Sequence, residues 1–331
     1  MDSHEAQIRK LLDQSKNIAL LGHMNPDGDC IGSLLGLGRI LEKQGKKVSY
    51  FTPTPPSKMF DFLPNIKKIK TTFDYKEYDV LVFVDLTSYK RLSPFTDYNS
   101  TYFDNRNIIV FDHHVDPVAR HALVIKDIQV MSCSELIFEK TKKRRKKYID
   151  KEVATYFYLG LTMDSGNFVF DENHERIFTN ALELIKLGAD KTCIINNIFR
   201  KKTMNQIRFL SLLLKRITIT GDVLFSYYDE KEFKKYHLDQ EEAGYGLNIL
   251  QNIDGAKVIM TLRRIHNTIR GSLRSKNIEG KNIIDCNILA RLFNGGGHIP
   301  AAGFSIPAKG NFKQQITTIV KTINKNIKKK K

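Results

Sequence analysis

Tryptophan is absent from this sequence, cysteine occurs four times in 331 residues, and acidic side chains fall well short of basic ones. Each shortage excludes something. Cys30, Cys133, Cys193 and Cys286 are too scattered for a C-x-x-C pair or a disulfide framework, so a reducing compartment is expected. No apolar run approaches the roughly 20 residues that span a bilayer, which excludes a helical membrane anchor. The first residues, MDSHEAQIRKLLDQSKN, hold no apolar stretch of the secretory kind, and the expected location is the cytoplasm. No internal repeat is visible. Phe and Tyr are plentiful, and with 41% hydrophobic residues the chain is expected to fold over most of its length. Such a length suits two domains.

The shortage of acids leaves a formal charge of +17. Lysines are spread along the chain and read mainly as solubilising surface, with attraction for polyanions, nucleotides included, as the other reading. Two runs are concentrated, Lys142 to Lys147 and Lys328 to Lys331. Each reads as a solvated helix end or tail, with nucleic-acid contact as the alternative.

The all-apolar run Ile18–Leu21 predicts a strand covered on both faces, and Val48–Phe51, Val80–Val84 and Ile108–Phe111 read as further strands. Helical periodicity predicts helices over 4–14, from near Asp29 onward, over Cys133–Thr141 and over Glu152–Leu161. Gly32, Ser33, Gly36 and Gly38 would let the second of these pack closely on a sheet. Alternation of this kind implies an α/β fold with a doubly wound, mainly parallel sheet flanked by helices. A smaller mixed α/β domain follows, with β-branched runs, a helix near 285–293 and a last helix over 311–327. The expected division is 1–199 for the first domain, a helical linker over 200–218, and 219–331 for the second.

Ligands of parallel sheets bind outside the carboxyl ends of the strands. His23, Asp85 and His113 each stand just after an apolar strand. Singly they are weak signals. Asn25-Pro26-Asp27-Gly28 is a good β-turn, and Asp29 or Asp112 would serve as a helix cap. An EF-hand is excluded because the twelfth position from Asp27 is Gly38, and a structural zinc site is unexpected without cysteines beside the histidines. Together, Asp27, Asp29, Asp85 and Asp164 would repel strongly in one crevice unless cations lay between them. Two divalent ions balance four such charges, activate a water and clamp a phosphoryl group. Asp85 is the natural bridge, and mixed Asp and His ligation makes Mn²⁺ the expected ion.

The motifs GHMNPDGDCIGS, VDLTS, FDHHVDP and TMDSGNF, in that order, resemble those of the DHH phosphoesterase superfamily. The later GGGHIPAAGF resembles the signature of its DHH-associated C-terminal domain. The resemblance implies that His23, Asp27 and Asp85 hold one ion, and that Asp29, Asp85, His113 and Asp164 hold the other. It also implies that Asp112 orients a histidine and that His114 faces substrate phosphate.

In the second domain, a strand through RGSLRS would align Arg270, Ser272 and Arg274 on one face, a comb of phosphate donors or a charged sheet edge. Gly295, Gly296 and Gly297 could expose backbone N–H groups to an anion or form an ordinary turn. By the resemblance these stretches contact the nucleotide, with Ser275 and His298 as further contacts. The implied activity is hydrolysis of short nucleotides: di- to pentanucleotides, pAp, pApA and cyclic di-AMP. The chain looks closest to the oligoribonuclease and pAp phosphatase group, and a homodimer is the expected assembly. The alternatives are a RecJ-like single-strand exonuclease and a non-catalytic nucleotide-binding module.

Overall fold

The computed structural model describes residues 3–86, 88–114, 122–169, 174–278, 281–282, 284–297 and 299–328. His298, residues 115–117 of the FDHHVDP motif and the terminal lysines 329–331 lie outside them. The chain forms two compact units, Met1–Lys201 and Lys202–Lys331.

The first unit is built on six parallel strands: β1 (Asn17–Leu21), β2 (Lys47–Phe51), β3 (Ile69–Lys70), β4 (Val80–Val84), β5 (Ile108–Asp112) and β6 (Leu123–Lys126). Their order is β3-β2-β1-β4-β5-β6, so the winding reverses between β1 and β4. That is the topological switch point where doubly wound sheets open a crevice. Alternate residues of each strand point to opposite faces. On one face Ile18, Leu20, Val80, Val82 and Ile109 pack beneath α1 (Ser3–Gln14), α2 (Gly28–Lys43), and the later helices Cys133–Arg145 and Lys151–Asp164. On the other, Ala19, Leu21, Leu81, Phe83 and Val110 meet an aromatic layer of Phe51, Phe73, Phe95 and Phe103.

Helix α2 carries three interior glycines, Gly32, Gly36 and Gly38, each costing about 1 kcal/mol of helix propensity. Against this stand six buried large side chains, Ile31, Leu34, Leu35, Leu37, Ile40 and Leu41, each contributing about 1.5–3 kcal/mol. Packing wins. The glycines serve a helix crossing more than the expected contact with the sheet. A Cβ at Gly32 would stand 2.4 Å from the Tyr156 carbonyl, and one at Gly36 would stand 2.5 Å from the Phe157 ring. Only Gly38 faces a strand residue, Tyr50.

The second unit has a mixed sheet in the order β13-β14-β10-β9-β8-β7. Its strands are β7 (Thr218–Thr220), β8 (Val223–Asp229), β9 (Val258–Ile265), β10 (Thr268–Ser275), β13 (Gly296–Gly297) and β14 (Ala301–Pro307), with β11 (Asn277–Ile278) and β12 (Lys281–Asn282) as a separate pair. Only β8 and β9 run parallel. The helix Phe312–Lys328 covers one face through Ile316, Ile319, Val320 and Ile323. The helix Met204–Lys215 lies in the segment expected as a linker. It puts Phe209 and Leu213 into the core over the other face, with Leu224, Leu247 and Ile259.

Candidate metal centre

Each of the six expected ligands of the first unit is carried by the end of a rigid element. His23 follows β1, Asp85 follows β4, and His113 follows β5. Asp27 is the N-cap of α2, its Oδ1 accepting from the N–H groups of Asp29 at 3.1 Å and Cys30 at 3.0 Å. The cap is therefore Asp27, not Asp29, because the helix begins at Gly28. Its second oxygen stays outside the cap and lies 3.7 Å from His23 Nε2. Asp164 closes the helix Lys151–Asp164, where the helix dipole disfavours a carboxylate.

Asp85 is the hub. It is 2% exposed and sits in the left-handed region with φ +59°, a strained conformation for a residue with a side chain. Its Oδ2 lies 3.2 Å from His23 Nε2, and its Oδ1 lies 3.5 Å from His113 Nε2 and 3.6 Å from His114 Nδ1. Nε2 of His113 is also 3.8 Å from Asp29 Oδ2 and 3.3 Å from Asp164 Oδ2. His23 donates its Nδ1–H to the Met24 carbonyl at 2.9 Å, which turns the Nε2 lone pair toward the acids. Asp112 is fully buried and accepts from both the backbone N–H and Nδ1–H of His114, at 3.0 and 2.8 Å. The histidine it orients is thus His114.

Asp29 shows an anchoring that spacing could not reveal. Its Oδ2 accepts from Cys133 N at 2.6 Å and its Oδ1 from Ser134 N at 2.8 Å. Those are the first N–H groups of the helix Cys133–Arg145, a natural seat for a carboxylate. Gly160 makes room for this contact, since a Cβ there would stand 2.5 Å from Asp29 Oδ1. The only local signal was Ser132, which caps that helix through Glu135 N.

The electrostatics fit cations. Burial, reinforced by Asp85, raises the Asp29 carboxyl to about 7. Burial together with Asp29 and Asp27 holds Asp164 well above the carboxylate range. Burial would lower His113, but Asp85, Asp164 and Asp29 outweigh it and raise it to about 10. Asp85 itself stays well below its usual value, since His113 and His23 outweigh burial. Protons alone thus stand in for the positive charge this crowd of acids requires. Asp85 Oδ1 is buried and accepts no hydrogen bond among the described residues. Oxygen and nitrogen donors in this arrangement fit two divalent ions sharing Asp85. Cys30, absent from the expected ligand set, also lies in a donor cluster with His23 and Asp85.

In the second unit, Arg270 is exposed and Ser272 and Arg274 are half-buried on one face of β10. Cross-strand register sets Ser272 beside Gly303, and Gly303 beside Gly296. The arginine comb and the glycine stretch therefore share one sheet surface. Gly295 requires its missing side chain, because a Cβ there would stand 2.2 Å from the Gly303 carbonyl. Its N–H donates to Ala290 O at 3.0 Å, which leaves Gly296 and Gly297 as the exposed glycines. Ser275, expected as a contact, is fully buried. The two-residue period of the strand turns it to the face opposite Arg274. Within the basic run, Lys142 donates to Glu183 at 2.8 Å and Arg145 to Asp13 at 2.7 Å, so part of it is structural.

Residues 17–161 match the DHH family, N-terminal domain, and residues 221–329 match the DHHA1 domain. The bifunctional oligoribonuclease and PAP phosphatase NrnA of Bacillus subtilis is 26% identical, over 91% of this chain and 93% of that protein. The protein of the same name from Mycoplasma genitalium is 23% identical over 94% and 95%. Among solved structures, an exopolyphosphatase-related protein from Bacteroides fragilis superimposes with a TM-score of 0.87 at 26% identity, covering 98% of this chain and 96% of that one.

Proposed function

We propose that the chain is a phosphoesterase of the DHH family, as its matches over residues 17–161 and 221–329 support, and that it hydrolyses short nucleotides: oligonucleotides of two to five residues, pAp and pApA. One observation carries this reading. Three aspartates and two histidines gather around the buried Asp85 at the switch point of a parallel sheet. Similarity to oligoribonuclease and PAP phosphatases across nearly the whole of both chains supports the substrate class.

His23, Asp27 and Asp85 would hold one divalent ion, and Asp29, Asp85, His113 and Asp164 the other. The oxygen-rich, imidazole-containing donor set suits Mn²⁺. When bound, such a pair supplies Lewis acidity to the phosphoryl group and lowers the pKa of a coordinated water. The protein's own groups do the rest. Asp112 holds the His114 ring by its Nδ1–H, so His114 meets the substrate phosphate in a fixed orientation. Arg270 and Arg274 pair with phosphate oxygens, Ser272 donates its hydroxyl, and Gly296 and Gly297 admit the nucleotide close to the backbone. His298 belongs with them by the motif it sits in.

Purified protein with Mn²⁺ should release AMP from pAp and from pApA, and Asp85→Ala should reduce both by about 10³-fold or more. A length series of labelled RNA and DNA should show turnover falling beyond five nucleotides. The reading is overturned if neither pAp nor pApA yields AMP, or if oligonucleotides longer than about ten residues are preferred. Cyclic di-AMP run alongside separates linear from cyclic preference.

A further inference from the structure

One of the chain's four thiols stands inside the ligand turn itself. Cys30 lies in the first turn of α2, fully buried, next in sequence to Asp29. Its sulfur, a His23 ring nitrogen and an Asp85 carboxylate oxygen all lie within 4.8 Å of one another. The sulfur fills space left open by Gly22, where a Cβ would stand 2.3 Å from it. Cys133 is also buried near the site, but its thiol donates to the Phe111 carbonyl at 3.1 Å. Asp85 is 2% exposed; its Oδ2 lies 3.2 Å from His23 Nε2, and its Oδ1, which accepts no hydrogen bond among the described residues, faces His113 and His114.

On the reading that His23, Asp27 and Asp85 hold one divalent ion, we propose that Cys30 supplies a thiolate to that same ion. The S–H bond breaks as the sulfur–metal bond forms, the proton passes to solvent, and no electron transfer is involved. The two ions then differ in kind. The ion of Asp29, Asp85, His113 and Asp164 has oxygen and nitrogen donors only. Its neighbour has nitrogen, oxygen and sulfur, a set that favours softer ions such as Co²⁺, Zn²⁺ or Cd²⁺ over Mn²⁺ and Mg²⁺.

Titrating the full chain with Co²⁺, with bound metal counted by equilibrium dialysis, tests this without recourse to activity. A thiolate-to-cobalt charge-transfer absorption should grow in the near ultraviolet and saturate with one of two bound ions. It should vanish in Cys30→Ala and Cys30→Ser and persist in Cys193→Ser. In Cys30→Ala, Cd²⁺ affinity should fall at least about tenfold while Mn²⁺ affinity changes less than about threefold. Circular dichroism establishes that each variant is folded, and the wild-type spectrum is decisive even if one is not. Two bound Co²⁺ ions without charge-transfer absorption would exclude Cys30 as a ligand and leave the two-metal reading standing. No bound Co²⁺ at all would overturn both.

Discussion

Asp85 meets three imidazoles, its Oδ2 facing His23 and its Oδ1 facing both His113 and His114. A residue in that position couples every other donor, so its loss should be felt through metal binding and not only through turnover. Asp112 acts one step further out, its side chain bonding His114 and, among the described residues, none of the six expected ligands. Asp112→Asn should therefore lower kcat by about 10- to 100-fold with the number of bound metal ions unchanged. Steady-state kinetics beside metal counting checks this. A parallel loss of metal would mean that Asp112 acts through the ions.

At the scale of elements, the site depends on a close crossing of α2, the helix Cys133–Arg145 and the helix Lys151–Asp164. In Gly160→Ala the new Cβ would stand 2.0 Å from Ser134 Oγ and 2.5 Å from Asp29 Oδ1. That substitution should destabilise the fold by about 1–3 kcal/mol and weaken metal binding, as urea melts and metal titrations would show. Farther off, Arg176 holds Glu139 through two hydrogen bonds of 3.0 and 2.7 Å and Asp127 through one of 2.9 Å. Burial raises both carboxyls, but the Gln129 N–H together with Arg176 lowers Asp127, and Arg176 together with Asn180 lowers Glu139, each below its ordinary value. A carboxylate whose folded pKa is depressed stabilises the fold above its unfolded pKa, about 4, and loses that contribution as pH falls through the folded value. Arg176→Ala should thus cost about 1 kcal/mol near pH 7, with the gap closing as pH falls below the ordinary carboxylate range of about 4. Denaturation midpoints across pH test it.

Elements were legible where burial was uniform. Val80–Val84 is buried at every position and ends where its apolar run ends. The edge strands Ile69–Lys70 and Leu123–Lys126 were not expected, because short edge strands carry mixed exposure and no two-faced apolar run. The helix Gln240–Leu250 was missed as well, its QEEAGYGLNIL interrupted by two glycines. Its docking onto Phe209 and Leu213 is a tertiary fact.

For the whole molecule, divalent ions held by the acids around Asp85, as proposed, should make the fold metal-dependent in stability. Ions that bind only the folded state add about 2.7 kcal/mol at a hundred times their dissociation constant. Chelation by EDTA should lower Tm by about 5–10 °C, and Mn²⁺ should restore it. An unchanged Tm in both arms would contradict a two-ion site. No helix among the described residues is long and apolar enough to cross a membrane.

The sequence by itself determined the chemistry available: which donors exist, which strand ends carry them, and that two domains follow one another. Those properties are local, set by side-chain type and by periodicities of two and 3.6 residues. Tertiary structure decided the rest. Pairing β1 with β4 brings His23 to Asp85, and the N-terminus of a helix more than a hundred residues on seats Asp29. The same packing turns Ser275 inward and sets Cys30 among the donors. Strand order and helix crossings follow from burying whole faces contributed by distant segments, and no local stretch of chain encodes that sum.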